Sequence, residues 1–480
     1  MGTERMKNAA VAALVVATLV GGVFMLVPDG GGGPPPAPGP AARALTAAAT
    51  GAPASRAELT ALIGERSGWL REHPDDSESW AVLGTAYAER GARYAVWADL
   101  PRAQRALDSS LGVHPAAEGN TEALLGLAAL AGAREDFTAA REHAVAAQKQ
   151  RPRRWTVYRA LIDAQGGVGA HKAVHSALDR LTELYQGPQA RALAAQVYRD
   201  RGWREDALAT AHDAVADAAG AAERAVALRR LGDLAWERGE PGEAVAAYEG
   251  ALRLDPELHP ARAGRARSLA ALGRFEAALR EYRAARARFP LAEYALEAGE
   301  LLESLGRRPE AEEEYAAVLT AAERAERYGV GQELVRGRYE ADHGDPEEAV
   351  RRLTEVWEAG RRSLGVADAL GWALYRAGRP REALPYAKRA TKEGLRSPLF
   401  SYHRGQIERA LGLYGPSRRS IGTALRVNPY FSPLLAPAAR SALTSLGEPP
   451  ARGPRRMTGR ESLNVPGAAG SRSTRGAASG

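Results

Sequence analysis

A glycine recurs along this chain with an alanine five residues behind it, and that period restricts the fold more than any other feature of the sequence. It runs Gly202 to Ala207, Gly239 to Ala244, Gly273 to Ala278, Gly306 to Ala311, Gly344 to Ala349 and Gly378 to Ala383, with Ser417 replacing alanine after Gly412. The glycine-to-glycine steps are 37, 34, 33, 38, 34 and 34 residues. A period of this length is one supersecondary unit that cannot bury its own apolar face, so neighbouring units must stack into a continuous core. Within each unit the glycine suits the left-handed position that ends a first helix. Proline or acid behind it starts a second helix, as in Asp345-Pro346-Glu347-Glu348. Pro256, Pro290 and Pro429, which lack an amide donor, close several of the second helices.

Other positions keep the same phase. Gly232, Gly299, Gly337, Gly371 and Gly405 precede the turn, and Tyr248, Tyr282 and Tyr315 follow it. Trp80, Leu83, Gly84, Tyr87, Ala103 and Pro115 repeat the order earlier, with about seven extra residues around 93–100 lengthening the turn. Residues 58–72 fit the second helix of a truncated leading unit, and 436–446 a capping helix. Together these positions resemble the tetratricopeptide repeat, whose unit of about 34 residues follows W-x2-L-G-x2-Y, A-x3-F and P. The resemblance covers about residues 56–446, with ten full units, and is blurred over 121–188, where Trp155 remains but the small residues do not. It implies an all-α, right-handed superhelical solenoid of antiparallel helix pairs, with the first helix of each pair on the concave face.

The ends read differently. Residues 9–27 (AAVAALVVATLVGGVFMLV) carry no charge, and Arg5 and Lys7 precede them. Nineteen helical residues span about 28 Å, close to a bilayer's hydrocarbon thickness. The expectation is a transmembrane signal-anchor behind a short cytoplasmic segment, 1–8, with the solenoid exported. Ala42-Arg43-Ala44 offers a cleavage site and hence a secreted alternative, although the apolar run is longer than the core of a signal peptide. Residues 28–55 are rich in Gly and Pro and are expected to form a flexible linker, and 447–480 a disordered tail.

Net charge is +7, but +4 of it falls in the tail and +1 in residues 1–55. The 391 residues between carry only +2 with mixed signs, so no concentrated basic face suits a nucleic acid. The 60 Arg against 5 Lys are similar to the usage of GC-rich bacteria such as actinobacteria. No cysteine is present, which removes disulfides, thiolate metal sites and a cysteine nucleophile.

Chemistry is scarce. There is no phosphate-binding G-x-x-x-x-G-K-[ST], no H-E-x-x-H and no G-x-S-x-G. His171 and His175 share a helix face without a third ligand, so neither a metal nor a cofactor is expected. The resemblance implies a concave groove that holds a protein or peptide partner. Its candidates are Arg229, Asp233 and Trp236 in one unit, with Asp368, Trp372, Tyr375, Tyr402, Gln406 and Arg409 in two later ones. Aromatic residues beside arginine are the usual composition of an interface hot spot, whereas packing of Trp372 against Tyr402 beneath the cap is the competing reading. The family's clamp for a terminal carboxylate, built from Lys and Asn, is not matched, because Arg229, Asp233, Ala263 and Arg267 stand at those positions. The function expected is a membrane-tethered, non-enzymatic scaffold outside the cytoplasm. The alternative is a surface module that binds an acidic envelope polymer through its arginines.

Overall fold

The structure is a computed structural model that describes residues 38–447. The apolar segment 9–27 and the tail from 448 lie outside the described residues. Among the described residues there are helices and no strands, and no helix is long and apolar enough to cross a membrane.

A leading helix, α1 (Pro40–Ala49), and the half-unit α2 (Arg56–Glu72) precede ten antiparallel pairs. The first five pairs are α3 (Ser77–Tyr94) with α4 (Leu100–Val113), α5 (Thr121–Ala133) with α6 (Phe137–Gln150), α7 (Trp155–Gly167) with α8 (His171–Leu184), α9 (Pro188–Asp200) with α10 (Arg204–Asp217), and α11 (Ala221–Glu237) with α12 (Pro241–Leu254). The remaining five are α13 (His259–Ala271) with α14 (Phe275–Arg288), α15 (Ala292–Ser304) with α16 (Arg308–Glu326), α17 (Glu333–His343) with α18 (Pro346–Glu358), α19 (Leu364–Arg376) with α20 (Pro380–Ala390), and α21 (Pro398–Ala410) with α22 (Tyr414–Val427). A last helix, α23 (Leu435–Ser445), covers the end of the array.

Small residues let the helices of a pair approach, and one large residue fills the gap beside them. Tyr248 is fully buried between Gly232 of its own pair and Gly264 of the next. A methyl group at those glycines would stand 2.6 and 2.4 Å from its ring. Gly299 meets Tyr315 at 2.4 Å and Gly405 meets Ile421 at 2.5 Å in the same manner.

Six of the seven periodic glycines adopt the left-handed conformation, with φ between 73° and 78°. Gly344 departs, with φ −131°, because its turn is shorter: it directly follows His343 and Asp345 already caps the next helix. In the blurred region Glu135 occupies the left-handed position, with φ 63°.

Within the expected linker, the described residues 38–55 include a helix. Pro40–Ala49 is helical because AARALTAAA consists of helix formers with no internal glycine or proline. Flanking Gly and Pro hid that stretch in the composition. Ala44 is buried with Ala54, Leu59 and Leu62. Ser55 then opens α2 with a capping box, in which its backbone N–H donates to Glu58 Oε2 at 2.9 Å.

The array coils back on itself. Asn428 Nδ2 donates to the carbonyl of Trp236 at 2.7 Å, across 192 residues, or about five and a half units of 34. Gly202 abuts Gly394, and Gly169 abuts Arg362. The Gly331 N–H donates to Arg134 O at 3.1 Å, and Arg361 pairs with Glu135 at 2.6 Å. His259 bridges Arg93 O at 2.8 Å and the Tyr294 hydroxyl at 2.6 Å. These contacts form a continuous seam between one superhelical turn and the next.

Candidate functional site

On the inner side of the coil lies a half-open cavity of about 710 Å³. Its wall comes mainly from the first helices of successive pairs, α9 to α21, with Phe275 and Tyr282 of the second helix α14, and its end from the 428–433 loop and α23. Such a volume falls in the range of ligand-binding clefts, and this one stays partly open to solvent.

Charge is distributed along this wall mainly in pairs. Arg199 Nε donates to Glu237 at 2.7 Å, Arg267 reaches Glu297 at 2.6 Å, and Arg338 stands 3.9 Å from Glu293. The Tyr282 hydroxyl also donates to Glu297, at 2.9 Å. Water reaches these side chains, yet protein surrounds them, so an unmatched charge is costly. Burial pushes the Glu300 carboxyl up to about 7; Arg338 opposes the rise, and Asp342, Glu297 and Glu303 add to it. Desolvation likewise brings Arg230, deeper along the same inner face, down to about 10, with Arg229 contributing.

The sequence candidates fall into two groups, and members of both, Trp236 from one and Asp368 and Trp372 from the other, line the one cavity. On α11, Arg229 pairs with Asp233 one turn on, and Asp233 also accepts from the Tyr248 hydroxyl at 2.8 Å. Trp236 is 9% exposed, lines the cavity and has Arg267 5.8 Å from its ring. The positions corresponding to the carboxylate clamp are therefore occupied internally: Arg229 and Asp233 by each other, Arg267 by Glu297.

The second group packs around Trp372. This indole is 5% exposed, donates to Asp342 at 3.0 Å, and stacks on His403 at 4.0 Å with an interplanar angle of 15°. Tyr402 lies 6.0 Å from Trp372 and 5.7 Å from Phe431, and Gln406, one turn on, is buried. Tyr375 stands 5.0 Å from Trp372 and is half-buried, while Arg409 is exposed. Of the two readings their sequence offered, these aromatics follow the second and pack between α19, α21 and the cap. Of this second group, Asp368 and Trp372 line the cavity. Of the paired histidines, His175 Nε2 accepts from Arg201 Nε at 2.6 Å.

Sequence reasoning missed His403, Glu300 and the 428–433 loop. Asp368 and His403 lie 35 residues apart, one residue off the 34-residue step between their units, and that near-repeat separation was the available signal. Exposed aromatic surface at the cavity is supplied by Phe275 and Tyr430, 40% and 42% exposed.

Comparisons with known proteins agree with the helix-pair architecture. Models of the tetratricopeptide repeat match residues 235–299 and, separately, 171–259 and 369–418. No curated protein matches the sequence. Similar solved structures include a tetratricopeptide repeat protein from Parabacteroides merdae, 18% identical, covering 54% of this chain and 99% of that one, with a TM-score of 0.33. A Cut9–Hcn1 hetero-tetramer of the APC/C is 14% identical over 85% of this chain and 84% of that one, TM-score 0.39. A human IFIT1 dimer with m7Gppp-AAAA is 16% identical over 73% and 80%, TM-score 0.45. The chain carries tetratricopeptide repeats, a fold that commonly serves as a protein–protein interaction scaffold.

Proposed function

We propose that this chain is a non-enzymatic scaffold, tethered to a membrane by residues 9–27 and displayed outside the cytoplasm, whose inner face receives a segment of a protein partner. The observation that carries the reading is the half-open inner cavity lined mainly by first helices, with Trp236, Asp368 and Trp372 in its wall. Aromatic and paired polar groups in a concave site are what fixes an extended chain in one register. The uncharged run with basic residues before it supports the tether, and the repeats support the scaffold role.

A photo-crosslinking residue placed at Phe275 or Tyr430, in cells, tests the inner face. Trp69, 45% exposed and away from the cavity, is the control. A discrete adduct at Phe275 and Tyr430 but not at Trp69 is expected. Equal labelling at all three sites would remove the inner-face assignment. A topology reporter fused after residue 446 tests the membrane side, and activity on the cytoplasmic side would overturn it. Binding to an anionic polymer that collapses with salt and needs residues 447–480 would instead favour the polymer-binding alternative.

A further inference from the structure

The stretch between α1 and α2 is held the way a bound peptide is held. Arg159 of α7 donates to the Gly51 carbonyl, and the Tyr94 hydroxyl of α3 donates to the Ala54 carbonyl at 3.1 Å. The Ala54 N–H in turn donates to Glu89 of α3 at 3.2 Å. Each of these bonds joins a side chain of a first helix to the backbone of the stretch. Its own side chains, in the sequence Gly-Ala-Pro-Ala, are small. Main-chain hydrogen bonds of this kind supply affinity in peptide recognition, and side-chain pockets supply the selection.

Selection here falls on Gly51. Its φ is 62°, and a methyl group on it would stand 2.6 Å from the Trp155 ring. Tyr185 stacks on that ring at 4.3 Å and keeps it in place. Only Ala54 of the four residues is fully buried, while Gly51, Ala52 and Pro53 are half-buried. Little apolar area therefore holds the stretch down, and another backbone of the same shape reproduces its polar contacts.

The stretch also stands at one end of the inner face. The 710 Å³ cavity shares Arg199, Trp236, Glu237 and Arg267 with a neighbouring space of about 240 Å³. That space shares Gln196 and Arg230 with a third, of about 130 Å³, whose wall includes Gly51 and Pro53. The three spaces follow the first helices in a row, bounded by the 428–433 loop and α23 at one end and by this stretch at the other.

We propose that residues 51–54 are an internal ligand. They fill in cis a site on α3 and α7 for a segment of small residues with glycine against Trp155, and a partner segment of that composition enters this end of the inner face only by displacing them. This rests on the inner-face reading above and names the segment that competes for that face.

The test titrates full-length protein in mild detergent with a fluorescent, terminally blocked peptide of residues 49–56, ATGAPASR. Its counterpart carries valine in place of the glycine. A segment of the same chain competes at roughly millimolar effective concentration, so the unaltered protein should bind the glycine peptide weakly. Gly51→Val puts a β-branched residue at a left-handed position and against Trp155, which weakens the internal copy and leaves α3 and α7 unaltered. The glycine peptide should bind this variant about tenfold or more tightly than the unaltered protein. The valine peptide should show no such gain, and Arg159→Ala added to Gly51→Val should remove it. Equal affinity of the glycine peptide for the unaltered and Gly51→Val proteins overturns the proposal, as does its failure to bind Gly51→Val at millimolar concentration. One measurement needs no variant: the Ala54 N–H of the unaltered protein should be protected from hydrogen exchange, and exchange as fast as in an unstructured chain overturns the docking itself. Adducts at Phe275 and Tyr430 that persist while the peptide makes no distinction would leave the inner-face reading standing without this internal ligand.

Discussion

Gly202→Ala and Gly378→Ala are the same substitution at the same position of two repeat units, and they should not cost the same. Both glycines are left-handed, with φ 78° and 76°. Forcing alanine there costs roughly 1–2 kcal/mol. The unfolded chain returns about 0.4–1 kcal/mol of that by losing freedom, and equally at both sites. At Gly378 nothing lies within 4 Å of the added methyl group. At Gly202 the methyl group would stand 2.2 Å from the carbonyl oxygen of Gly394 and 3.1 Å from its carbon. Both are backbone atoms of the next superhelical turn, so no rotamer change relieves the clash. Overpacking of this kind costs about 1–3 kcal/mol, and that increment is the expected difference between the variants. A repeat array does not unfold as a single two-state unit, so hydrogen exchange read segment by segment is the appropriate assay. Gly378→Ala should accelerate exchange only around its own turn. Gly202→Ala should also accelerate it around Gly394 and at the start of α21, by about tenfold for each 1.4 kcal/mol. Equal losses in the two variants, or unchanged protection near Gly394, would refute the seam and with it the coiling that shapes the cavity.

Further expectations follow from the packing and charge. Gly264→Ala should destabilise α11–α14 by about 1–2 kcal/mol, since the clash with fully buried Tyr248 outweighs the roughly 1 kcal/mol helix gain, whereas Gly64→Ala, with nothing within 4 Å, should stabilise α2; exchange protection of the two regions separates the signs. His259 is buried, and desolvation lowers its pKa from 6.5 to about 4. Its neutral form is favoured when folded, so stability is complete above pH 6.5 and declines as pH falls toward 4, by about 3 kcal/mol in all; the unfolding midpoint of His259→Gln should change less over that window. Glu135→Gly removes a strained left-handed residue but also the Arg361 pair, so its stability relative to the parent should rise with added salt, as measured by denaturant midpoints at low and high ionic strength.

Much of the fold was legible because local periodicity carries it. The Gly-to-Ala interval located the turns of six consecutive units and a seventh with serine, and the structure places helix pairs at each of them. Gly232 and Tyr248 announced close helix approach, and their contact is what brings α11 and α12 together. Compositional averaging failed at α1, where nine helix-forming residues were diluted by neighbouring Gly and Pro. The candidate site was legible only in part. Register put Trp236, Asp368 and Trp372 on first helices, but the exposure of Trp372 and Tyr402 depended on what α21, Phe431 and α23 placed over them.

The sequence by itself determined the unit, its two helices, the left-handed glycine between them and the stacking order, because those depend on residues within about one period of each other. Only the tertiary structure decided that the coil closes. In the sequence Gly202 and Gly239 look the same as Gly273, Gly306, Gly378 and Gly412. In the fold the first two are pressed against Gly394 and Pro429, while the other four have open space where a side chain would begin. That difference arises from small rotations accumulated over about five and a half units, which no single repeat encodes. The same coiling gathers a row of inner-face residues around one half-open cavity and leaves Asp368 and His403 buried with half of their hydrogen bonds unmade.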